Sequence, residues 1–250
     1  MHEPYLRAAY SVGGLIGPTL GAFGGIRGPF LAYLALLLAA LPLVLLVGEP
    51  QARRGFVADR AVLRTRGFWV ASAAILFAVL ALGVLEGVLP LHFAERLSQA
   101  QIGGLYVGAS LIVAVSAAAA GAMRPRPLVF AAVLLAIGGT SLAGMATDVP
   151  LWLLALALAA VGIGLANTGS LGLLVEAVPV RRIVTAMVVW SQIGIVGYLL
   201  GPLAGGLVAD SLGYAFVGTV SAVTGLLVVA LLRTPRSPVP RPPQTATRAH

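Results

Sequence analysis

The chain has 250 residues, of which 59% are hydrophobic and only 10% are charged, and its mean hydropathy is +1.00. These values exclude an ordinary water-soluble domain and are typical of a protein that is immersed in lipid. The net charge of +8 comes from arginine alone, and the absence of cysteine excludes disulfides and thiol chemistry.

Apolar runs follow one another along the chain, each near the roughly 20 residues that cross a bilayer. They lie at 8–26, 28–48, 67–90, 101–122, 127–146, 151–175, 183–209 and 213–232. The pattern predicts an all-α, polytopic membrane helix bundle with about eight transmembrane helices. The proline-rich tail 233–250 has too few apolar residues to fold, and we expect it to be disordered.

The distribution of arginine predicts the orientation of this bundle. When successive connections are assigned to opposite sides, Arg27 and Arg96 lie on one side and the rest of the 16 basic residues lie on the other. This is the positive-inside signal, and it places both termini and the segment 49–66 in the cytoplasm. Nucleic acid is not an expected partner, because the arginines are distributed loop by loop. Membrane lipid is expected, since the arginines of 49–66 can meet anionic headgroups.

A motif of glycine and proline occurs twice at a constant offset, as GGLIGPTLGA from residue 13 and GYLLGPLAGG from residue 197. The shared positions are Gly13, Gly17, Pro18 and Gly21 in the first copy, and Gly197, Gly201, Pro202 and Gly205 in the second. We expect the two runs to be sister helices of a duplicated bundle. The glycines allow close helix contact and the proline bends the helix, so simple packing and gating both remain open.

Glu86 is an acid well within an apolar run. An ionised carboxylate at the centre of a bilayer costs about 2–3 kcal/mol, so Glu86 needs a partner, water or a proton. A carboxyl that takes up and releases protons suits a proton-coupled carrier. Because Glu86 lies shortly before Pro90, near the predicted outer interface, an interfacial acid is the alternative interpretation.

Other polar side chains inside apolar runs are candidates for a substrate or proton pathway. Asn167 lies in a glycine-rich run, where cavity lining and hydrogen bonding between helices are both open. Trp190, Ser191 and Gln192 lie near the start of the seventh run. Helical spacing places Trp190 near Gly194 and turns Gln192 to another face, and a substrate contact or a core position would each explain the tryptophan.

The repeated motif and the arginine-rich segment 49–66 together resemble the major facilitator superfamily, whose carriers have two six-helix halves. LEGVLPLHFAERLSQAQIGGLYVGAS, from residue 85, resembles the seventh and eighth helices of the drug:proton antiporter and vesicular amine transporter branch. GYLLGPLAGGLVADSLGYAF resembles the junction between their eleventh and twelfth helices. The resemblance extends to about Pro235.

The resemblance implies that the eight runs correspond to helices five to twelve. Residues 1–48 would then be the last two helices of an amino-terminal half, 49–66 a cytoplasmic interdomain loop and 67–232 the carboxy-terminal six-helix half. The missing partners of this partial fold would be amino-terminal helices or another chain. Amine transporters carry acids in their tenth and eleventh helices, where this chain has Asn167 and Ser191, so no proton carrier is assigned there.

The expected function is secondary active transport: proton-coupled efflux of small organic, drug-like compounds by alternating access, in a bacterial cytoplasmic membrane. The alternatives are a sugar or metabolite exporter of the same superfamily, and a truncated, transport-inactive membrane protein. The chain is not expected to be an enzyme or to bind a metal, because His2, His92 and His250 lie at the termini and in one loop. No cofactor is expected, and no phosphate-binding glycine-lysine motif occurs.

Overall fold

The computed structural model describes residues 61–233, and before them residues 31, 34–36 and 38–42, which are helical. Within 61–233 the chain forms α-helices and single turns of 3₁₀-helix, with no strand. The helices are α1 (Arg66–Gly87), α2 (Leu89–Phe93), α3 (Gln99–Ala119), α4 (Pro125–Met145), α5 (Val149–Ala177), α6 (Ile183–Leu212) and α7 (Gly218–Arg233).

The all-α membrane bundle is confirmed for the part of the chain that the structure describes. Six segments are long and apolar enough to cross a membrane: Arg66–Phe93, Gln99–Ala122, Pro125–Met145, Val149–Ala177, Val180–Leu212 and Tyr214–Arg233. They match the predicted runs from 67–90 onward to within a few residues. The predicted run 8–26, with Gly13, Gly17, Pro18 and Gly21, lies outside the described residues, and 28–48 is described only in part. The relation between the two copies of the motif therefore stays a prediction.

Local sequence explains where several helices begin and end. Ser98 caps α3, because its hydroxyl accepts from the Gln101 backbone N–H while the Gln101 side chain accepts from the Ser98 N–H at 2.9 Å. Helices α4 and α5 each begin with a proline in the first turn, where no intrahelical donor is needed. Helix α6 ends at Leu212 and is followed by Gly213, whose φ of +91° favours glycine.

Small residues set the distances between the packed helices. A Cβ atom at Gly162 of α5 would lie 2.5 Å from the backbone nitrogen of Ala136 in α4, so these two backbones touch. Helix α1 packs against α5, α6 and α7 and supplies much of the core, including Phe68 and Phe77. Helix α3 has α5 as its main neighbour, and none of its residues is buried. One side of the bundle is therefore open along α3.

The second copy of the motif forms the crossing of α1 and α6. Gly197 and Gly201 are buried, and a Cβ at Gly201 would lie 2.5 Å from the Leu80 carbonyl oxygen and 2.9 Å from the Val84 nitrogen. Pro202 lies inside α6 and contacts a glycine of α1 in return, since a Cβ at Gly83 would be 3.0 Å from its Cδ. Glycine is required here because any side chain would separate the two helices.

The end of the bundle that contains residues 88–98, called the outer end from here on, is held by aromatic contacts. The ring of His92 stacks on Tyr214 with centroids 4.6 Å apart and meets Trp152 edge to face at 5.5 Å. Trp152 Nε1 donates to the Ala146 carbonyl at 2.8 Å, and His92 Nε2 lies 3.3 Å from the same oxygen. These contacts tie α2 to the ends of α4 and α5 and to the turn before α7.

We predict that Gly201→Leu lowers the thermal stability of the purified protein in detergent. The side chain would enter the backbone of α1, and overpacking of this kind costs about 1–3 kcal/mol, or roughly 2–12 °C in a chain of this length. Gly206→Leu is the matched control in the same helix, because a Cβ at Gly206 meets nothing within 4 Å. Equal melting temperatures for the two variants would contradict the role of Gly201 in the crossing.

We also predict the side of the membrane on which two exposed positions lie. The chain has no cysteine, so single-cysteine variants need no prior background changes. In intact cells a membrane-impermeant maleimide should label Ala94→Cys, beside α2, and should label Val180→Cys only after permeabilisation. Both positions are exposed. The opposite labelling pattern would show that the arginine distribution misassigns the orientation.

Candidate functional site

Glu86 lies in the last turn of α1, with its side chain exposed on the bundle. Residues one turn apart on the same helix, Leu82, Val79 and Leu76, are only partly buried. This spacing puts them on the face of α1 that ends at Glu86. The face is thus an apolar wall with one carboxylate at its outer end.

Tyr198 of α6 supplies the hydrogen-bond partner of this carboxylate. Its hydroxyl donates to Glu86 Oε2 at 2.9 Å. The glycine crossing makes this possible, since a Cβ at Gly83 would lie only 2.7 Å from the Tyr198 carbonyl oxygen. Among the described residues, the hydrogen-bond partner of Glu86 is therefore a phenol.

Tyr106 of a third helix reaches the same turn of α1. It belongs to α3, and its hydroxyl donates to the backbone carbonyl of Leu85. Two phenols from two helices thus meet consecutive residues of α1, one on the backbone and one on the acid.

Asn167 lies far from this group, toward the other end of the bundle. Its carbonyl accepts from Ser170 in the same helix at 2.9 Å, and its neighbour Thr168 donates to the Ala117 carbonyl of α3 at 3.0 Å. Tyr106 and Ala117 are separated by about 16 Å of helix, at about 1.5 Å per residue. The structure therefore places Asn167 at the contact of α3 with α5 and not beside Glu86.

The three polar residues near the start of α6 point in different directions. Trp190 packs against the core cluster of α1, and its Nε1 is buried with no hydrogen-bond partner among the described residues. Ser191 and Gln192 are exposed, and the Ser191 hydroxyl donates to its own helix at Val188, at 2.8 Å. Ser191 lies two turns from Tyr198, so these two residues share a face of α6.

An apolar cavity of about 360 Å³ lies between the outer halves of α3 and α5. Its lining comprises Leu97, Gln101, Gly104, Leu105, Gly108, Ala109, Ile112, Val149, Leu153, Leu156 and Ala157. None of the residues predicted from the sequence lines this cavity. Gln101 is the side chain in the lining that can both donate and accept hydrogen bonds.

A family model described as Major Facilitator Superfamily matches residues 71–250, which is more than half of the chain. The chain belongs to the major facilitator superfamily. It is accordingly an integral membrane protein of a transporter superfamily, in agreement with its six spanning segments. No curated protein matches the chain.

The two phenols of this superfamily member were not singled out from the sequence, although both lie inside the quoted motifs. Tyr198 directly follows Gly197, and Tyr106 follows the glycines at 103 and 104. The sequence could have marked both tyrosines as candidates, because a tyrosine in a spanning helix has a hydroxyl that needs a hydrogen-bond partner. Which acid or carbonyl it would meet depended on the helix packing.

We predict that the carboxylate position of this transporter is reached by water. Glu86→Cys should react with a charged, water-soluble thiol reagent, because the side chain is exposed in the structure. Ala81→Cys on the same helix should remain unreactive, since Ala81 is 0% exposed. Reaction rates are measured by mass shift in intact and in everted membranes. Failure of Glu86→Cys to react in either preparation would exclude an aqueous pathway at this residue.

Proposed function

We propose that this protein is a proton-coupled carrier that exports small organic compounds of hydrophobic or amphiphilic character by alternating access. The observation that carries the proposal is the Glu86 carboxylate, held by a neutral tyrosine within a spanning segment. An ionised carboxylate is costly in the apolar part of a membrane, by about 2–3 kcal/mol at its centre, and protonation removes the charge.

The chemistry of Glu86 fits a group that gains and loses a proton during transport. As a carboxylate it can only accept hydrogen bonds, whereas the protonated acid can also donate one. Its partner Tyr198 is a phenol that can either donate or accept, so the pair can be satisfied in both protonation states. A site that is stable in both states can be loaded on one side of the membrane and unloaded on the other.

The apolar residues near Glu86 favour binding of apolar or amphiphilic substrates. Leu76, Val79 and Leu82 form the partly exposed wall that leads to the carboxylate. Such a wall offers van der Waals contact along its length and one charge at its end, which suits an organic molecule with a basic group. A sugar would need several polar partners along this wall, and Leu, Val and Leu do not supply them.

The proposal predicts that Glu86→Gln uncouples substrate movement from protons. In everted vesicles that contain the full chain, a pH-sensitive dye should report proton release when a lipophilic cation such as ethidium is added. Glu86→Gln should lose this signal entirely, because the amide cannot carry a proton. Exchange of labelled ethidium for unlabelled ethidium needs no net proton movement and should persist, although at a higher ethidium concentration, because the variant keeps the apolar wall but loses the charge at its end. Normal proton release by the variant would remove Glu86 from the coupling mechanism.

Asp210→Asn is the matched control, since Asp210 is an exposed acid at the outer end of α6. It removes a similar charge outside the wall and should leave proton release unchanged. The same vesicles are tested with a panel of sugars. Proton release by sugars but not by lipophilic cations would favour the metabolite exporter. The absence of any flux in the unaltered protein would favour the transport-inactive alternative.

A further inference from the structure

The last turn of α1 is a weak point of that helix. Pro90 has no backbone N–H, so the Glu86 carbonyl, four residues earlier, cannot receive the usual helical hydrogen bond from it. Helix α1 ends at Gly87, and Val88, with φ of −117°, separates it from the short helix α2. The residue that we propose to carry protons therefore lies where the backbone is least constrained by its own helix.

Tyr106 supplies a constraint from outside at this point. Its hydroxyl donates to the carbonyl of Leu85, the residue directly before Glu86. The ring is partly buried and packs against the outer core cluster, which includes Leu85, Leu89 and Phe93. Because Leu85 is itself 4% exposed, the backbone that receives this hydrogen bond lies in the packed part of the bundle.

The Glu86 carboxylate is itself held by α6, because the Tyr198 hydroxyl donates to Glu86 Oε2 at 2.9 Å. A hydrogen bond of this length tolerates little displacement of either partner, since donor and acceptor normally lie 2.5–3.0 Å apart for two oxygens, as an approximate range. The position of the Glu86 Cα therefore decides whether the carboxylate meets Tyr198. That position depends on the neighbouring backbone, which Tyr106 holds.

We infer that Tyr106 is a positioning residue for proton coupling: it fixes the last turn of α1 so that Glu86 meets Tyr198. This inference rests on the proposed function of Glu86. Among the described residues, Tyr198 on α6 is the ionisable group that contacts the Glu86 carboxylate, and Tyr106 on α3 contacts the residue directly before it. Tyr106 acts through Glu86, and it does not itself carry the proton or contact the substrate.

Tyr106→Phe tests this inference, because it removes the hydroxyl and keeps the ring that packs against the outer cluster. In the proton-release assay it should move the pH midpoint by about 0.5–1 unit, the equivalent of one hydrogen bond of about 1 kcal/mol. In the Glu86→Gln background it should leave ethidium exchange unchanged, because the group through which it acts is absent. Gel filtration verifies that each variant is folded.

Ser116→Ala is the control on the same helix, since the Ser116 hydroxyl donates to its own helix at Val113. It should not move the pH midpoint.

If Tyr106→Phe gives no folded protein, Tyr106→Leu, which also lacks the hydroxyl, takes its place. If Tyr106→Phe slows ethidium exchange equally in the unaltered protein and in Glu86→Gln, Tyr106 serves packing alone. An unchanged pH midpoint of proton release would also overturn the inference. Normal proton release by Glu86→Gln itself would overturn the proposed function instead, whatever Tyr106→Phe does.

Discussion

The contact between the backbones of α1 and α6 is the constraint on which the rest of the structure depends. Lipid is as apolar as the helices it surrounds, so helices in a membrane associate through close packing and hydrogen bonds. Gly197 and Gly201 bring α6 onto the backbone of α1, and Gly83 receives Pro202 in return. This approach places a tyrosine of one helix beside the acid of the other. The candidate site is thus a consequence of the glycine crossing.

The hydrogen-bonded hydroxyls in the described spanning segments fall into two groups by their partners. Several hydroxyls bond to their own helix, as Ser191 does at Val188 and Thr140 at Ala136. Tyr198, Tyr106 and Thr168 instead donate to another helix. The first group satisfies local needs and is insensitive to helix movement. The second group joins helices, and two of its three members meet at residues 85 and 86.

The helices are packed more tightly at the outer end than along α3, and this difference is compatible with a transporter. Aromatic contacts around His92 tie α2 to the ends of α4 and α5, whereas α3 has no buried residue and leaves one side open. Glu86 lies between these regions, next to the break at Val88. A carrier needs a rigid part that keeps its site together and an open side that the substrate can reach. Within residues 61–233, the outer end is packed by aromatic rings and α3 has no buried residue.

The sequence alone determined that the chain lies in lipid, how many described spans it has and where they lie, and to which superfamily it belongs. The lipid environment and the spans follow from local composition, because about 20 apolar residues in a row can satisfy their backbone in lipid only as a helix. The superfamily came from the resemblance of the repeated motif and of the segment 49–66. The sequence also marked Glu86 and the glycine motif as unusual. It did not determine that Tyr198 meets Glu86 and Tyr106 meets Leu85, or that Thr168, beside Asn167, meets α3 at Ala117, about 16 Å along that helix from Tyr106. Those relations depend on which helices cross and at what height, which is decided by contacts between residues far apart in the chain.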